Sequence, residues 1–267
     1  MAYQNPKPML DDENKVDPLN QQEKVIAEYT QMKNVYFAFV DVLGFKKTFD
    51  DNKENPNIEF ASAFKNTFQY YSLLMNNARF VKAGNQWNSG QTSDSLYFYT
   101  DRIDYLAAFV KIYSHFCLYA MSQDVFFRGG IAKGDLFVDR PHQFYGDCVI
   151  NAYLLESNIA KKPWIAIDQS TCADLEKEKS VLELLIPQDP PQRNYIRPFA
   201  HITDNELHIL IDTAGVQINS IGAAEWLRIQ ENIQKNMKRF EFDDKNYQKY
   251  AFLQKKLKES LQSSDKQ

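Results

Sequence analysis

The chain has 267 residues, of which 44% are hydrophobic and 25% charged; this is the make-up of a globular protein with a sizeable core, and it excludes a mainly disordered chain. Thirty-one Lys and Arg against 35 Asp and Glu leave a net charge of −4, which excludes the basic footprint of a duplex-binding protein. No apolar run approaches the roughly 20 residues that span a bilayer.

Residues 1–20, with Pro6, Pro8 and Pro18 among polar neighbours, read as a loose arm. A short helix is predicted over 21–33. VYFAFVDVL, 35–43, is a β-branched and aromatic run broken by one acid, Asp41, and reads as a buried strand ended by Gly44. The spacing of Phe60, Phe64, Phe68 and Tyr71 predicts a long helix over about 58–79. The glycine-punctuated KAGNQWNSGQ then leads into a second strand, SDSLYFYT. Residues 101–122 read as an amphipathic helix with Leu106, Val110, Tyr113 and Cys117 on one face. A strand or hairpin is predicted over 125–138, a third helix over 146–162 and a strand over 164–168. Pro187, Pro190, Pro191 and Pro198 mark a long loop, and ELHILID, 206–212, reads as the last strand. From Asn219 to about Leu261 the pattern is helical. The expected division is an arm (1–20), an α/β domain (21–215) and a helical extension (216–267). Strands and helices alternate with hairpins inserted, so the expected fold is an α/β (α+β) sandwich of the ferredoxin-like sort with a mixed, mainly antiparallel sheet.

Seven of the nine glycines lie between 44 and 146, which draws attention to that region; hairpin turns are the plainer explanation. An acid inside an apolar strand, as Asp41 is, serves as a metal ligand, a catalytic group or a strand-end acceptor. Asp94 opens the second strand in the same way, and the fold would bring the two carboxylates to one sheet edge. There they suit magnesium or manganese, which take oxygen ligands and phosphates; turn capping is the alternative for each. The strand-to-helix turn after Asp41 offers backbone N–H groups for phosphate. Arg128 is a cation in an apolar strand, suited either to phosphate or to a salt bridge with a core acid. The lysines of the C-terminal helical region, among them Lys235, Lys245 and Lys249, are interspersed with acids and read as a solvated face. Cys117, Cys148 and Cys172 are far apart with no CxxC pair, which suits a reducing compartment and argues against zinc. The polar N-terminus is not a signal peptide, and a cytoplasmic location is expected.

Four segments, FVDVLGF (39–45), SDSLYFY (93–99), RGGIAKG (128–134) and YGDCVINAYLLESNIAKKPWIAID (145–168), occur in the order seen in class III nucleotide cyclases. The chain resembles that family over about 35–170, and most resembles the bacterial pyrimidine cyclases of the Pycsar antiphage system. The resemblance implies a cyclase homology domain and a homodimer with active sites at its interface. It implies conversion of a pyrimidine nucleoside triphosphate, UTP in preference to CTP, to a 3′,5′-cyclic monophosphate and pyrophosphate. The product would activate a separate effector in a bacterial cytoplasm, with no nucleic-acid partner and no membrane insertion. Carried over by position, Asp41 and Asp94 match the two metal-binding aspartates, with the Val42 backbone as a further ligand to two Mn²⁺ or Mg²⁺ ions. Val42, Leu43, Gly44 and Phe45 match the phosphate-holding segment, and Arg128 matches an arginine on the triphosphate. The purine-reading lysine of the family aligns with Gly90, a second base-reading acid with Gln143, and the transition-state Asn and Arg with Ile150 and Leu154. Tyr97, Tyr99, Phe144 and Tyr145 are candidates to fill a pyrimidine pocket. An inactive cyclase homology domain that senses nucleotide or dimerises is the alternative.

Overall fold

The computed structural model describes residues 30–54, 58–77, 87–140, 143–177, 198–203, 206–211 and 223–262. The arm expected at 1–20, most of the helix expected at 21–33 and the loop at Pro187–Pro191 lie outside the described residues. The strands are β1 (Thr30–Val42), β2 (Trp87–Thr92), β3 (Ser95–Thr100), β4 (Phe127–Arg140), β5 (Gln143–Tyr145), β6 (Ile165–Ile167), β7 (Pro198–Thr203) and β8 (Glu206–Ile211). The helices are α1 (Phe45–Glu54), α2 (Ile58–Asn77), α3 (Ile103–Ser122), α4 (Asp147–Leu154), α5 (Gln169–Lys177), α6 (Ala223–Arg239) and α7 (Asp244–Gln262), and a π turn (Leu155–Ile159) continues α4.

The sheet order is β2-β3-β1-β4-β6-β8-β7, with β5 paired to β4. The first four strands are antiparallel to their neighbours and are joined as β-α-β-β-α-β, which is the ferredoxin-like arrangement expected. β6 then adds to β4 in parallel, and β8 and β7 extend the sheet antiparallel. Several local expectations differ from the structure. Residues 30–33 begin β1 rather than ending a helix, because pairing with β4 carries the strand back past Val35 through a bulge at Asn34. The glycine-punctuated 87–92 segment is itself a strand, β2. A helix, α1, fills the stretch after Gly44, whose φ of +75° makes the turn. Pro198 stands at the first position of β7, where its missing N–H is tolerated. The C-terminal helical stretch breaks into α6 and α7 around Phe240–Asp243.

The two faces of β1 have different partners. Tyr36, Ala38, Val40 and Val42 join the larger core with α2, α3, and the apolar sides of α6 and α7 (Ile229, Ile233, Tyr250, Leu253, Leu257). The extension is thus built into the same core as the sheet. It is also tied to the end of α3: the Asn232 amide donates to the Met121 and Ser122 carbonyls, and Lys235 and Asn236 bond Asp124. Val35 and Phe37 face the other way, toward Cys148, Ala152 and Leu155. Gly130 explains how close that second layer lies: a Cβ there would fall 2.1 Å from the Ala152 carbonyl oxygen. Gly134 would similarly meet the Cys148 nitrogen at 2.8 Å. These glycines are where α4 rests on β4, which accounts for much of their clustering without chemistry.

Candidate active site

The face of β1 that packs on α4 changes character at its end. Val35 and Phe37 are apolar and buried, but two residues past Phe39 the same face carries Asp41. The sheet register sets Asp41 directly opposite Ser95 on β3 and Arg128 on β4. Cross-strand partners share a face, so Ser95, Asp41 and Arg128 form a polar row at the strand ends. The Ser95 hydroxyl donates to Asp41 Oδ1 at 2.9 Å. Asp94 stands in the tight β2–β3 turn beside that row, after Ser93 at φ +56°. Burial raises the Asp41 carboxyl above its usual range; the Ser95 hydrogen bond lowers it, the Asp94 charge raises it and Arg128 lowers it. The charge of one candidate metal carboxylate, Asp94, thus bears on the other. Among the described residues no third His, Cys, Asp or Glu joins them in a metal-holding cluster.

Arg128 has a partner on the opposite side. Its Nε lies 2.6 Å from Glu156 Oε1, off the N–H axis, so the contact is an ion pair without an aligned hydrogen bond. Glu156 is 3% exposed and sits in the π turn, where the extra residue in the i→i+5 turn redirects side chains; such turns recur at functional sites. Burial raises its carboxyl, Arg128 opposes that rise, and Asp41 adds to it. Both readings of Arg128 thus meet: it pairs with a core acid and also lines a cavity.

That cavity holds about 520 Å³, within the range of small-molecule sites. It is lined by Leu43, Gly44, Arg128, Lys161, Lys162, Lys245, Gln248 and Lys249. Five of the eight are cations and none is an acid. The turn after Asp41 forms one wall. Val42 and Leu43 are buried, and the Leu43 N–H already donates to the Phe126 carbonyl at 2.7 Å. Gly44 and Phe45 lead into the N-terminus of α1, whose first N–H groups have no partner within the helix. A second cavity of about 530 Å³ lies between α1–α2 and α6–α7 and is lined by Val42, Leu43 and Phe45 of the segment that follows Asp41.

Lys245 and Lys249 were not to be expected here. They belong to the lysines that read as a solvated face, and the structure places these two in the cavity wall. Their i, i+4 spacing puts them on one side of α7. Glu156, an acid in an otherwise apolar helical run, and the Lys161–Lys162 pair were visible as residue types but gave no spacing that marked them. The four aromatic candidates divide. Tyr97, Tyr99 and Phe144 pack against Phe37 with ring centroids 5.1–6.3 Å apart and belong to the core. Tyr145 is exposed and stacks on Phe137.

Neither a protein-family model nor a curated protein matches the chain. Among solved structures it is similar to two of bacterial light-regulated adenylyl cyclases. They share 12% and 13% identity with it over 80% and 81% of this chain and 67% of theirs, each with a TM-score of 0.45. No helix among the described residues is long and apolar enough to cross a membrane.

Proposed function

We propose that this chain is a metal-dependent nucleotide cyclase that converts a pyrimidine nucleoside triphosphate, UTP in preference to CTP, to its 3′,5′-cyclic monophosphate and pyrophosphate. The observation that carries the reading is the juxtaposition at the end of β1. A pair of mutually interacting carboxylates, Asp41 and Asp94, stands beside a cavity walled by five cations. Acids for metal next to bases for phosphate is the arrangement that phosphoryl transfer requires.

The residues fit a divalent cation. Asp41 is partly desolvated and raised by Asp94, so the pair carries charge that a hard cation would relieve. Asp41, Asp94 and the Val42 main chain would hold two Mn²⁺ or Mg²⁺ ions. When bound, the ions supply Lewis acidity for the ribose 3′-OH and charge neutralisation for the phosphates. The chain's own groups do the rest. Ser95 fixes the Asp41 carboxylate, Glu156 pairs with Arg128, and Arg128 with the Gly44 turn faces the polyphosphate. Nucleophile and electrophile belong to one molecule, so positioning supplies much of the rate.

One feature supports a small base. Tyr97 occupies the space in front of Gly90, with its hydroxyl 2.4 Å from where a Cβ would stand. A side chain at 90 would have to displace that ring. Three neighbouring side chains on α4, Ile150, Tyr153 and Leu154, are 59%, 54% and 45% exposed, an unusual apolar face at i, i+3, i+4 spacing. A second copy of the chain is the partner proposed for it, in a cytoplasmic homodimer whose cyclic product acts on a separate antiphage effector. Apolar residues at Ile150 and Leu154 also favour the second reading, a nucleotide-binding domain without turnover.

The test is incubation of the full chain with ATP, GTP, CTP or UTP and Mn²⁺, with products identified by mass spectrometry. Cyclic UMP from UTP is expected. Cyclic AMP or GMP as the main product contradicts pyrimidine selection, and binding without any cyclic product favours the sensor.

A further inference from the structure

We infer that α7 is part of the nucleotide site: Lys245 and Lys249, with Lys161, Lys162 and Arg128, form a seat for the β- and γ-phosphates and for the pyrophosphate that leaves. The identity of the anion rests on the nucleotide reading above; the polyanion site itself rests on the cavity.

Five cations line a cavity of about 520 Å³ with no acid in the wall; the Lys249 ammonium donates to Asn246 Oδ1 and that of Lys161 to the Ser157 carbonyl. Like charges brought together in a partly enclosed space repel one another, and such an arrangement persists where a counter-charge binds. Glu156 and Asp243, whose charges act on Lys161 and Lys249, are already engaged. Glu156 faces Arg128, and Asp243 caps α7 by accepting from the Asn246 amide and side chain. Lys249 reports the crowding: burial lowers its ammonium, and Arg128, Lys245 and Lys161 lower it further, against the opposing charge of Asp243. Lys245 lies in the first turn of α7, the end where a cation is least favoured by the helix dipole.

The wall is also fixed in place. Phe252 of α7 meets the Trp164 ring edge-on at 4.9 Å, and the Lys162 ammonium lies over both rings. This contact joins α7 to the 161–164 segment, so the lysines of the two elements stand on one side of the cavity. Arg128 and the Gly44 turn complete the lining. The polyphosphate therefore lies between the β1–α1 turn and the helical extension, with its α-phosphorus toward Asp41.

The experiment is calorimetric titration of the full chain, free of divalent metal, with orthophosphate, pyrophosphate and tripolyphosphate, and separately with UTP. Affinity should rise along the phosphate series. Lys245→Gln/Lys249→Gln should weaken tripolyphosphate and UTP roughly tenfold or more. Lys238→Gln/Lys258→Gln, a pair at exposed positions elsewhere in the extension, should leave both unchanged. Glutamine keeps most of the side-chain stem, and a melting curve of each variant verifies the fold. Equal tripolyphosphate affinity in the α7 double variant and the wild type overturns the proposal, as does equal weakening by the control pair. Failure of the cyclase reading looks different: tripolyphosphate binds through Lys245 and Lys249, yet no nucleotide is turned over.

Discussion

One strand, β1, presents two unlike faces. Tyr36, Ala38, Val40 and Val42 are buried without interruption among aromatic and aliphatic side chains from α2, α3, α6 and α7. The opposite face starts in the same way, at Val35 and Phe37, and ends in Asp41 between Ser95 and Arg128. The first face is a source of stability. The second gives stability up at its end, since Asp41 and Glu156 are both carboxyls whose charge burial disfavours. A strand that alternates sides lets one segment do both, because the chemistry is confined to the residues at its C-terminal end.

That contrast is breakable at graded cost. On the apolar side the largest effect is expected for Phe116→Ala, which empties a fully buried site packed against Tyr71 and Phe127. A loss of about 3–5 kcal/mol is expected in urea unfolding. Val40→Ala should lose roughly 2 kcal/mol by the same measurement, with product formation per folded molecule retained. On the α4 side, Gly130→Ala forces the Ala152 carbonyl away. It should lose about 1–3 kcal/mol and also lower turnover, because α4 leads into the turn that holds Glu156; undiminished turnover would show that the α4 layer does not position the site.

The smallest effect is one of pH. The folded-state carboxyl of Glu156 is raised above its usual 4.5. The folded protein thus holds that proton more tightly than the unfolded chain. Its stabilising contribution is full below about 4.5 and is lost as pH rises through the raised value. Glu156→Gln removes this loss, so its melting temperature should gain on the wild type by a degree or two between pH 4.5 and 7. The lowered carboxyls of Asp104 and Asp174 act in the opposite sense but equally in both proteins. A constant difference across that range would mean that the Glu156 charge is fully compensated by Arg128.

Much of this was readable before the structure. Asp41 stood out because an acid in VYFAFVDVL breaks a buried pattern, and Asp94 because it opens the next strand. The helix expected over about 58–79, described as α2 to Asn77, and the α3 face of Leu106, Val110, Tyr113 and Cys117 followed from spacing. Two kinds of information were hidden. β2 carries Gly90 and polar residues and has weak strand propensity, so pairing with β3 makes it a strand. Lys245 and Lys249 are chemically like their neighbouring lysines; only the docking of Phe252 on Trp164 tells them apart. Long-range packing, not composition, decides which cations meet.

The most direct test is Asp41→Asn, measured for turnover of UTP with Mn²⁺ and for melting temperature on the same sample. Turnover is expected to fall on the order of a thousandfold, while the melting temperature holds or rises because a disfavoured charge is gone. A variant that keeps its turnover, or that loses it only by unfolding, would contradict the assignment of chemistry to this end of β1.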